Sequence, residues 1–183
     1  MPELTPSCAK DFAEAIHQAA QAQQPLALGG AWSKNRMAGP IAEASVTLST
    51  RALNRVLLYE PKDLTISVEA GLPYAELTAL LAANRQMLPL DPPCAATATI
   101  GGVVATNGAG PRRRLFGASR DMVIGMTYAT LDGELAQSGG IVVKNVAGLD
   151  VQKTLIGSFG TLAAITSINF NLAPLPEATR TFL

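Results

Sequence analysis

Residues 95–110, AATATIGGVVATNGAG, form a stretch in which no side chain carries a charge. Four glycines, Gly101, Gly102, Gly108 and Gly110, stand among small hydroxyl and methyl side chains. Glycine weakens ordinary helices and strands, and it is used where another backbone or a ligand comes close. The stretch therefore predicts one of two structures: a main chain beside a large planar or phosphate-bearing ligand, or tight packing of one segment against another.

Two further glycine-rich segments, LALGGAWSKN (26–35) and GSFGTLAAIT (157–166), favour the ligand. In the first, a tight turn at Gly29–Gly30 can point successive backbone N–H groups into one concavity that binds an anion. Ser33 and Asn35 add neutral donors there, while Lys34 or Arg36 could balance charge. The alternative for this segment is a plain surface turn, because glycine pairs are common turn formers.

The segment at 98–102 could run its backbone along a pyrophosphate or a sugar. Its alternative is a buried crossing between sheets. The two structures differ in what lies against the glycines, and the sequence alone leaves both open.

Composition limits the class of protein. The chain has 183 residues, of which 48% are apolar and 15% charged, with 14 acidic and 14 basic side chains. These values argue against disorder and against an electrostatic grip on nucleic acid. No apolar run is long enough to span a membrane. The N-terminus has acidic residues where a signal peptide needs an apolar core. Cys8 and Cys94 are far apart in the sequence, which fits reduced thiols rather than a disulfide framework. We expect a soluble intracellular protein of about one domain with reduced thiols.

Hydrophobic spacing predicts an α+β chain with two subdomains divided near residue 60. Ser7 is the expected N-cap of a first helix that runs to about Gln23. Residues 64–69 alternate as a half-buried strand, and Asp132–Gly133 predicts a hairpin. The other expected elements are strands at 26–28, 46–48, 56–59, 122–131 and 162–172, and helices after Pro73 and at 151–156, with Leu162 on the buried face of the last strand.

The sequence contains few side chains that are suited to catalysis. His17, the one histidine, shares a helix face with polar residues and is expected to be solvated. One histidine and two distant cysteines do not make an ordinary zinc site. The sequence lacks a GxSxG elbow, a GxxxxGK[ST] phosphate loop and a GxGxxG that opens a helix. A cofactor is therefore expected to perform any difficult chemistry.

Taken together, the motifs resemble a known family. LTISVEAGLPYAEL (64–77), LPLDPP (88–93), ATIGGVVATNGAG (98–110) and IGSFGTLAAITSINFNLAPLP (156–176) follow the first glycine loop in order. This series is similar to the FAD-binding domain of the vanillyl-alcohol oxidase and para-cresol methylhydroxylase (PCMH) superfamily. More narrowly, GPRRRLFGASRDMVIGM (110–126) and GGIVVKNVAGLDVQKTLIGSFGTL (139–162) resemble the FAD-binding subunit of bacterial glycolate oxidase.

The resemblance implies a PCMH-type FAD-binding domain, with a small α/β subdomain (1–60), a larger and mainly antiparallel sheet subdomain with helices (61–176), and FAD between them. Residues 177–183 would begin a substrate domain that relatives continue into. No metal site is implied. The cofactor-binding residues implied by position are Gly29, Gly30, Ala31, Trp32, Ser33, Lys34, Asn35, Asp91, Thr97, Ala98, Thr99, Ile100, Gly101, Gly102, Asn107, Gly108, Gly160 and Ile165.

The chain departs from the family pattern in three places. Ala163 replaces a frequent glycine, and Leu149 replaces the tyrosine of a GYD motif. Ala31 and Trp32 stand where covalently flavinylated relatives carry histidine, so FAD is expected to bind without a covalent link.

The implied function is that of an FAD-binding subunit or fragment of a flavin-dependent 2-hydroxy acid (glycolate) oxidoreductase. Its implied partners are the other flavin and iron–sulfur subunits of a glycolate oxidase. Its implied location is the cytoplasm, peripheral to the inner membrane through those subunits. No residue is a suitable general base, so we expect the isolated chain to be inactive. The alternatives are a non-catalytic assembly or electron-relay subunit, and an enolpyruvyl reductase relative that uses a nicotinamide donor.

Overall fold

The computed structural model of the chain describes residues 3–37, 39, 43–141 and 149–180. The strands within these residues are β1 (Glu3–Leu4), β2 (Leu26–Gly29), β3 (Val46–Ser49), β4 (Val56–Glu60), β5 (Thr65–Glu69), β6 (Gln86–Met87), β7 (Val123–Ala129), β8 (Leu135–Gly139), β9 (Ala164–Asn171) and β10 (Ala173–Pro174). The helices are α1 (Ala9–Gln21), α2 (Tyr74–Ala83), α3 (Ile100–Ala105), α4 (Arg113–Phe116), α5 (Ser119–Met122) and α6 (Val151–Leu155).

Helix α1 begins one residue later than predicted. Its N-cap is Cys8, whose backbone is extended and whose Sγ accepts a hydrogen bond from the N–H of Asp11 at 3.4 Å. The prediction of Ser7 as N-cap is therefore wrong. The helix also ends at Gln21, because Gln23 takes a positive φ of 52° and turns the chain toward β2.

A small parallel sheet follows α1, with strand order β1-β3-β2. Phe12 and Ile16 of α1 pack with Leu48 of β3 in a core cluster that also contains Ala129 and Ala164. Because the last two residues belong to β7 and β9, α1 lies between the small sheet and the larger one.

The larger sheet is antiparallel and five-stranded, with order β4-β5-β9-β7-β8. Strand β9 is central and pairs with β5 on one side and β7 on the other. The hairpin predicted at Asp132–Gly133 joins β7 to β8, and Gly133 supplies the positive φ of 79° that this turn requires. The mainly antiparallel α+β architecture is thus confirmed.

Strand β5 is buried on both faces, so its expected half-burial is wrong. Thr65, Ser67 and Glu69 are 3%, 8% and 5% exposed. Glu69 is tolerated there because Arg55 donates to its carboxylate through the backbone N–H and Nη2, both at 2.8 Å. A buried charge is stable only when it is paired and hydrogen-bonded in this way.

The last strand also departs from its expected pattern. The register of β7 against β9 shifts between Thr127 and Tyr128, which interrupts the alternation at the start of β9. Ala164 and Ile165 are consequently both buried. Leu162 precedes the strand and is 58% exposed, so its placement on the buried face is wrong.

The parallel sheet lies within residues 3–49, whereas β4 (Val56–Glu60) already belongs to the antiparallel sheet. The division into subdomains at residue 60 stays a prediction. No helix in the described ranges is long and apolar enough to cross a membrane.

Candidate cofactor site

Three glycine-containing segments meet at one open cavity, which encloses about 860 Å³ when its solvent-open mouth is included. The first is the loop after β2, the second is α3 with the residue before it, and the third comprises the loop before β9 and the start of that strand. The lining residues are Leu28, Gly29, Gly30, Ala31, Trp32, Ser33, Lys34, Asn35, Thr50, Thr99, Gly101, Gly102, Ala105, Thr106, Phe159, Gly160 and Ile165. Twelve of the eighteen residues predicted to bind the cofactor are among them.

Several backbone N–H groups of the first loop have no hydrogen-bond acceptor among the described residues. Ser49 Oγ donates to the carbonyl of Gly30 at 3.1 Å and Thr50 Oγ1 to that of Gly29 at 3.5 Å, so both carbonyls are engaged on the β3 side. The N–H groups of residues 31–34 have no protein acceptor among the described residues. Successive N–H groups without a protein acceptor can form an anion-binding nest.

Lys34 carries the only charge among the described residues that line the cavity. Partial burial lowers the pKa of its ammonium group, and nearby Cys94 acts in the opposite direction. A partly desolvated cation interacts more strongly with an anion than a fully hydrated one does. Lys34 is therefore suited to offset the charge of a phosphate group held by the loop.

The second segment contains the short helix α3, which the sequence did not predict, and Thr99 is its N-cap. The N–H of Ile100 donates to Leu72 O at 2.9 Å and that of Gly101 to Ala70 O at 2.7 Å. These bonds place Ile100 in the hydrophobic core, where it is 0% exposed. Within this helix, the cavity is lined by Gly101, Gly102 and Ala105.

The glycines of the site have different neighbours. A Cβ on Gly101 would lie 2.8 Å from Cβ of Ala70, and one on Gly30 would overlap with Oγ1 of Thr99. At Gly102, apart from the chain neighbours and the helix backbone, the one atom of the described residues within 4 Å of a Cβ would be that same Oγ1, at 3.3 Å. Gly30 and Gly101 therefore allow protein segments to pack, as one interpretation of the sequence predicts. Gly102 lines the cavity, and its contact with a ligand stays a prediction.

The third segment is fixed to the second through the backbone. Phe159 N–H donates to Ala105 O at 2.9 Å, and Gly157 N–H donates to Val104 O at 3.2 Å. These bonds use carbonyls at the C-terminal end of α3, of which that of Val104 also accepts from the N–H of Asn107 at 3.0 Å. Gly160, with a φ of 76°, then turns the chain so that residue 160 lies next to Leu28. From there the chain continues into β9, where Ile165 lines the cavity.

Six predicted residues lie off the described lining: Asp91, Thr97, Ala98, Ile100, Asn107 and Gly108. Ala98, like Ile100, is part of the hydrophobic core, and Thr97 is exposed. Asp91 forms an ion pair with Arg112 at 3.1 Å beside another cavity. Contact of these six with a cofactor stays a prediction.

Five lining residues were missed by the sequence: Leu28, Thr50, Ala105, Thr106 and Phe159. Ala105 and Thr106 follow Gly101 and Gly102 at a spacing of four, which places them on the same side of a helix. A prediction of helix at this position would have found them. No pattern in the sequence indicates Thr50, which reaches the cavity through the pairing of β2 with β3.

Side-chain chemistry at the site is sparse. His17 is half-buried rather than solvated as predicted, since Gly133 of the hairpin turn lies against it and its Nε2 is 2.8 Å from Nε2 of Gln21. It does not line the cavity. A search of the described ranges finds no cluster of His, Cys, Asp or Glu able to hold a metal ion.

Of the departures from the family pattern, Ala31 and Trp32 line the cavity, whereas Ala163 and Leu149 lie outside its described lining. Ala163 lines a neighbouring apolar cavity under α1, which shares Leu28 and Gly160 with the first. Leu149 is 86% exposed, and its carbonyl accepts a hydrogen bond from Ser138 Oγ at 3.1 Å. Within the glycolate-oxidase-like segment at 139–162, residues 142–148 lie outside the described residues.

The fold and the three converging loops define a dinucleotide-binding domain of the PCMH type. The profile of the family described as "FAD binding domain" matches residues 3–151, which is most of the chain. The chain belongs to this family, and the cofactor of the family is FAD.

Among curated proteins, the chain is similar to glycolate oxidase subunit GlcE of Escherichia coli (strain K12), with 37% identity over 167 residues, covering 91% of this chain and 47% of that protein. It is also similar to glycolate oxidase subunit GlcD of Bacillus subtilis (strain 168), with 31% identity over 141 residues, covering 77% and 30%. The chain thus spans about half the length of the first relative and less of the second.

A solved structure of alkyldihydroxyacetonephosphate synthase superimposes with a TM-score of 0.79. The alignment covers 96% of this chain and 34% of the synthase chain, at 23% sequence identity. At that identity the likeness shows the fold alone, and it confirms the predicted fold class.

The residues of the cavity fit FAD. The first loop offers free N–H groups and Lys34 to a diphosphate. Gly102 leaves open the space that a side chain would fill. Ser33, Thr50, Thr99 and Thr106 also line the cavity. The hydroxyls of Thr50 and Thr106 donate to backbone carbonyls, and a hydroxyl oxygen keeps the capacity to accept a hydrogen bond from a ligand.

Proposed function

We propose that this chain is the FAD-binding part of a flavin-dependent 2-hydroxy acid oxidoreductase that acts on glycolate or a close analogue. The observation that carries the proposal is the junction of three separate segments at one cavity, with free backbone donors and one lysine on its wall. The names of its relatives, which are subunits of glycolate oxidase, support the class of substrate.

The residues of this chain would bind and orient the cofactor. The nest at residues 31–34 and Lys34 would hold the diphosphate, and the α3 backbone at Gly102 would lie against the remainder of the molecule. When bound, FAD supplies the hydride acceptor for oxidation of the carbon that bears the hydroxyl group. The described lining contains no histidine, cysteine or tyrosine, which supports non-covalent binding.

The general base of such a reaction would come from outside the described cavity wall. Lys34 is the only titratable side chain in that wall, and we assign it to the diphosphate. We therefore propose that the isolated chain does not oxidise glycolate. A further domain or the proposed partners, a homologous flavin subunit and an iron–sulfur subunit, would complete the enzyme in the cytoplasm, near the inner membrane.

A direct test is titration of the purified chain with FAD. Trp32 is the single tryptophan of the sequence and lines the cavity, so its emission should be quenched as the flavin binds. Denaturation should then release all of the flavin into solution. A chain that neither carries flavin after purification nor shows saturable quenching would contradict the proposal.

A second candidate function is a non-catalytic assembly or electron-relay subunit. The lack of a suitable base in the described cavity wall favours it. The two functions separate in a reconstituted multi-subunit oxidase that carries Gly102→Leu in this chain. Unchanged glycolate turnover supports the assembly role. Loss of turnover shows that this flavin site is needed, and single-turnover reduction of this subunit's flavin by glycolate with the partner flavin removed then separates catalysis from electron relay.

A further inference from the structure

Trp32 forms part of the cavity wall in a conformation that bulky residues rarely adopt. Its φ is 57°, in the left-handed region. Its six-membered ring covers Gly29 so closely that a Cβ atom there would lie 2.6 Å from Cε3 and Cζ3. The indole therefore packs directly on the Gly29 backbone, and this contact requires that residue 29 has no side chain.

The indole is also bound from outside the loop. Its Nε1–H donates to Oε1 of Glu3 at 3.2 Å. Glu3 belongs to β1, which pairs with β3 and not with β2. The N-terminal strand thus reaches across the small sheet to hold a residue of the cavity wall.

The charge of Glu3 makes this arrangement unexpected. A carboxylate near a site for an anionic ligand weakens binding through Coulomb repulsion, unless its contact with the protein contributes more than the repulsion costs. Bulky residues with a positive φ persist only where their surroundings hold them. Trp32 has two such restraints, the fit against Gly29 and the hydrogen bond that its Nε1–H donates to Glu3.

We propose that Glu3 is a positioning residue of the cofactor site, acting through Trp32. Its carboxylate fixes the indole over Gly29 and so keeps the first loop in the shape that presents its N–H groups to the ligand. This inference rests on the proposed FAD site, and it extends that site to the N-terminal strand, which none of the recognised motifs contains.

The test compares Glu3→Ala with Glu3→Gln, measuring FAD affinity by flavin fluorescence. Glu3→Ala removes the acceptor and should weaken binding about three- to tenfold, the effect expected for loss of one partly exposed hydrogen bond. Glu3→Gln keeps an acceptor oxygen and removes the charge, so its affinity should equal or exceed that of the unmodified chain. If both variants strengthen binding, Glu3 acts by charge alone and the proposal is wrong.

A double-mutant cycle with Trp32→Phe isolates the contact. Phenylalanine keeps a ring but has no N–H group, so Glu3→Ala should have no further effect on FAD affinity in that background. An undiminished effect of Glu3→Ala there would overturn the proposal. Glu14→Ala is the matched control, because it also removes an exposed side-chain hydrogen bond, to Gln18 at 2.9 Å, away from the cavity wall.

A ligand-free measurement separates this inference from the proposed function. The fluorescence anisotropy of Trp32 should fall in Glu3→Ala and stay unchanged in Glu3→Gln and Glu14→Ala. Equal anisotropy in all of these proteins would refute the positioning role even if FAD binds. Failure of the unmodified chain to bind FAD would instead refute the proposed function, and the anisotropy result would still decide whether Glu3 positions the indole.

Discussion

Gly30 and Thr99 are in direct contact across two segments that are far apart in the sequence. A Cβ atom at Gly30 would overlap with Oγ1 of Thr99 and lie 2.9 Å from its Cγ2. The junction of the first loop with α3 therefore depends on the absence of a side chain at residue 30.

Gly30→Ala should lower the free energy of unfolding by about 1–3 kcal/mol, the usual cost of inserting a methyl group into a packed site. Thr99→Ala removes the two nearest atoms and should restore part of this loss. Urea unfolding of the two single variants and the double variant gives the coupling. Thr97→Ala, an exposed change in the same segment, serves as the control and should restore nothing.

Adjacent glycines of α3 should respond in opposite ways to substitution. A Cβ at Gly101 would lie 2.8 Å from Cβ of Ala70 and 2.9 Å from its carbonyl oxygen. We expect Gly101→Leu to unfold or strongly destabilise the chain.

Gly102→Leu should instead leave the chain folded and block the cavity. Outside the helix backbone and the adjacent residues, its Cβ would meet one atom of the described chain within 4 Å, Oγ1 of Thr99 at 3.3 Å, which a small side-chain shift can relieve. FAD affinity should fall at least about tenfold, since a leucine side chain would occupy space that the ligand requires. Thermal unfolding and FAD titration of both variants test the contrast. An unchanged affinity in folded Gly102→Leu would remove α3 from the binding site.

Lys34 should make FAD binding dependent on pH. Burial lowers the pKa of its ammonium group below the ordinary 10.5. The charged form is the one that attracts a diphosphate, so affinity should be full at neutral pH and should fall as the pH rises through the Lys34 pKa. Lys34→Met should weaken binding about tenfold at pH 7, the effect of losing one charge-assisted hydrogen bond.

FAD affinity should be measured against pH for both Lys34→Met and the unmodified chain. Titration of the ligand itself contributes equally to the two profiles, so the difference between them reports on Lys34. The difference between the two profiles should vanish at alkaline pH. Lys62→Met, an exposed lysine away from the cavity wall, should follow the unmodified chain. Parallel profiles for Lys34→Met and the unmodified chain would exclude Lys34 as the charged group.

Tyr74 should limit stability at high pH. Burial, together with nearby Asp91, raises the pKa of its phenol to about 12, and Arg112 opposes this shift. Its hydroxyl donates to the carbonyl of Leu90. Because the folded protein favours the neutral phenol, this contribution to stability is complete below pH 10 and is lost as the pH rises from 10 to about 12.

Tyr74→Phe should therefore be less stable than the unmodified chain by about 1 kcal/mol at pH 7, through loss of the hydrogen bond. The difference should shrink or change sign above pH 11, because phenylalanine has no proton to lose. Urea unfolding at the two pH values measures this. Equal differences at both would show that Tyr74 does not ionise over that range.

Much of the architecture could be predicted from local pattern. The Asp132–Gly133 hairpin follows from the positive φ that such a turn requires, and Gly133 has it. The limits of local pattern appear at β5, where Thr65 and Ser67 resemble an exposed face and are buried by neighbouring elements. Apolar alternation reports the two faces of a strand, but it does not report what covers each face.

The site shows the same division. Glycine-rich segments at 26–35, 95–110 and 157–166 were visible as segments, and their meeting at one cavity could only be anticipated through the family resemblance. The sequence did not reveal that 100–105 is a helix, and for that reason Ala105 and Thr106 were missed.

By itself, the sequence predicted a site formed by main chain rather than by catalytic side chains. Its three glycine-rich segments contain no histidine, no cysteine pair and no cluster of acidic residues. Only the tertiary structure decided which glycine serves which purpose. A Cβ at Gly30 or Gly101 would overlap with or press against several protein atoms, whereas one at Gly102, which lines the cavity, would have a single tight contact with Oγ1 of Thr99. The physical reason is that a missing side chain looks the same in sequence everywhere, while its effect depends on the atoms that folding brings next to it.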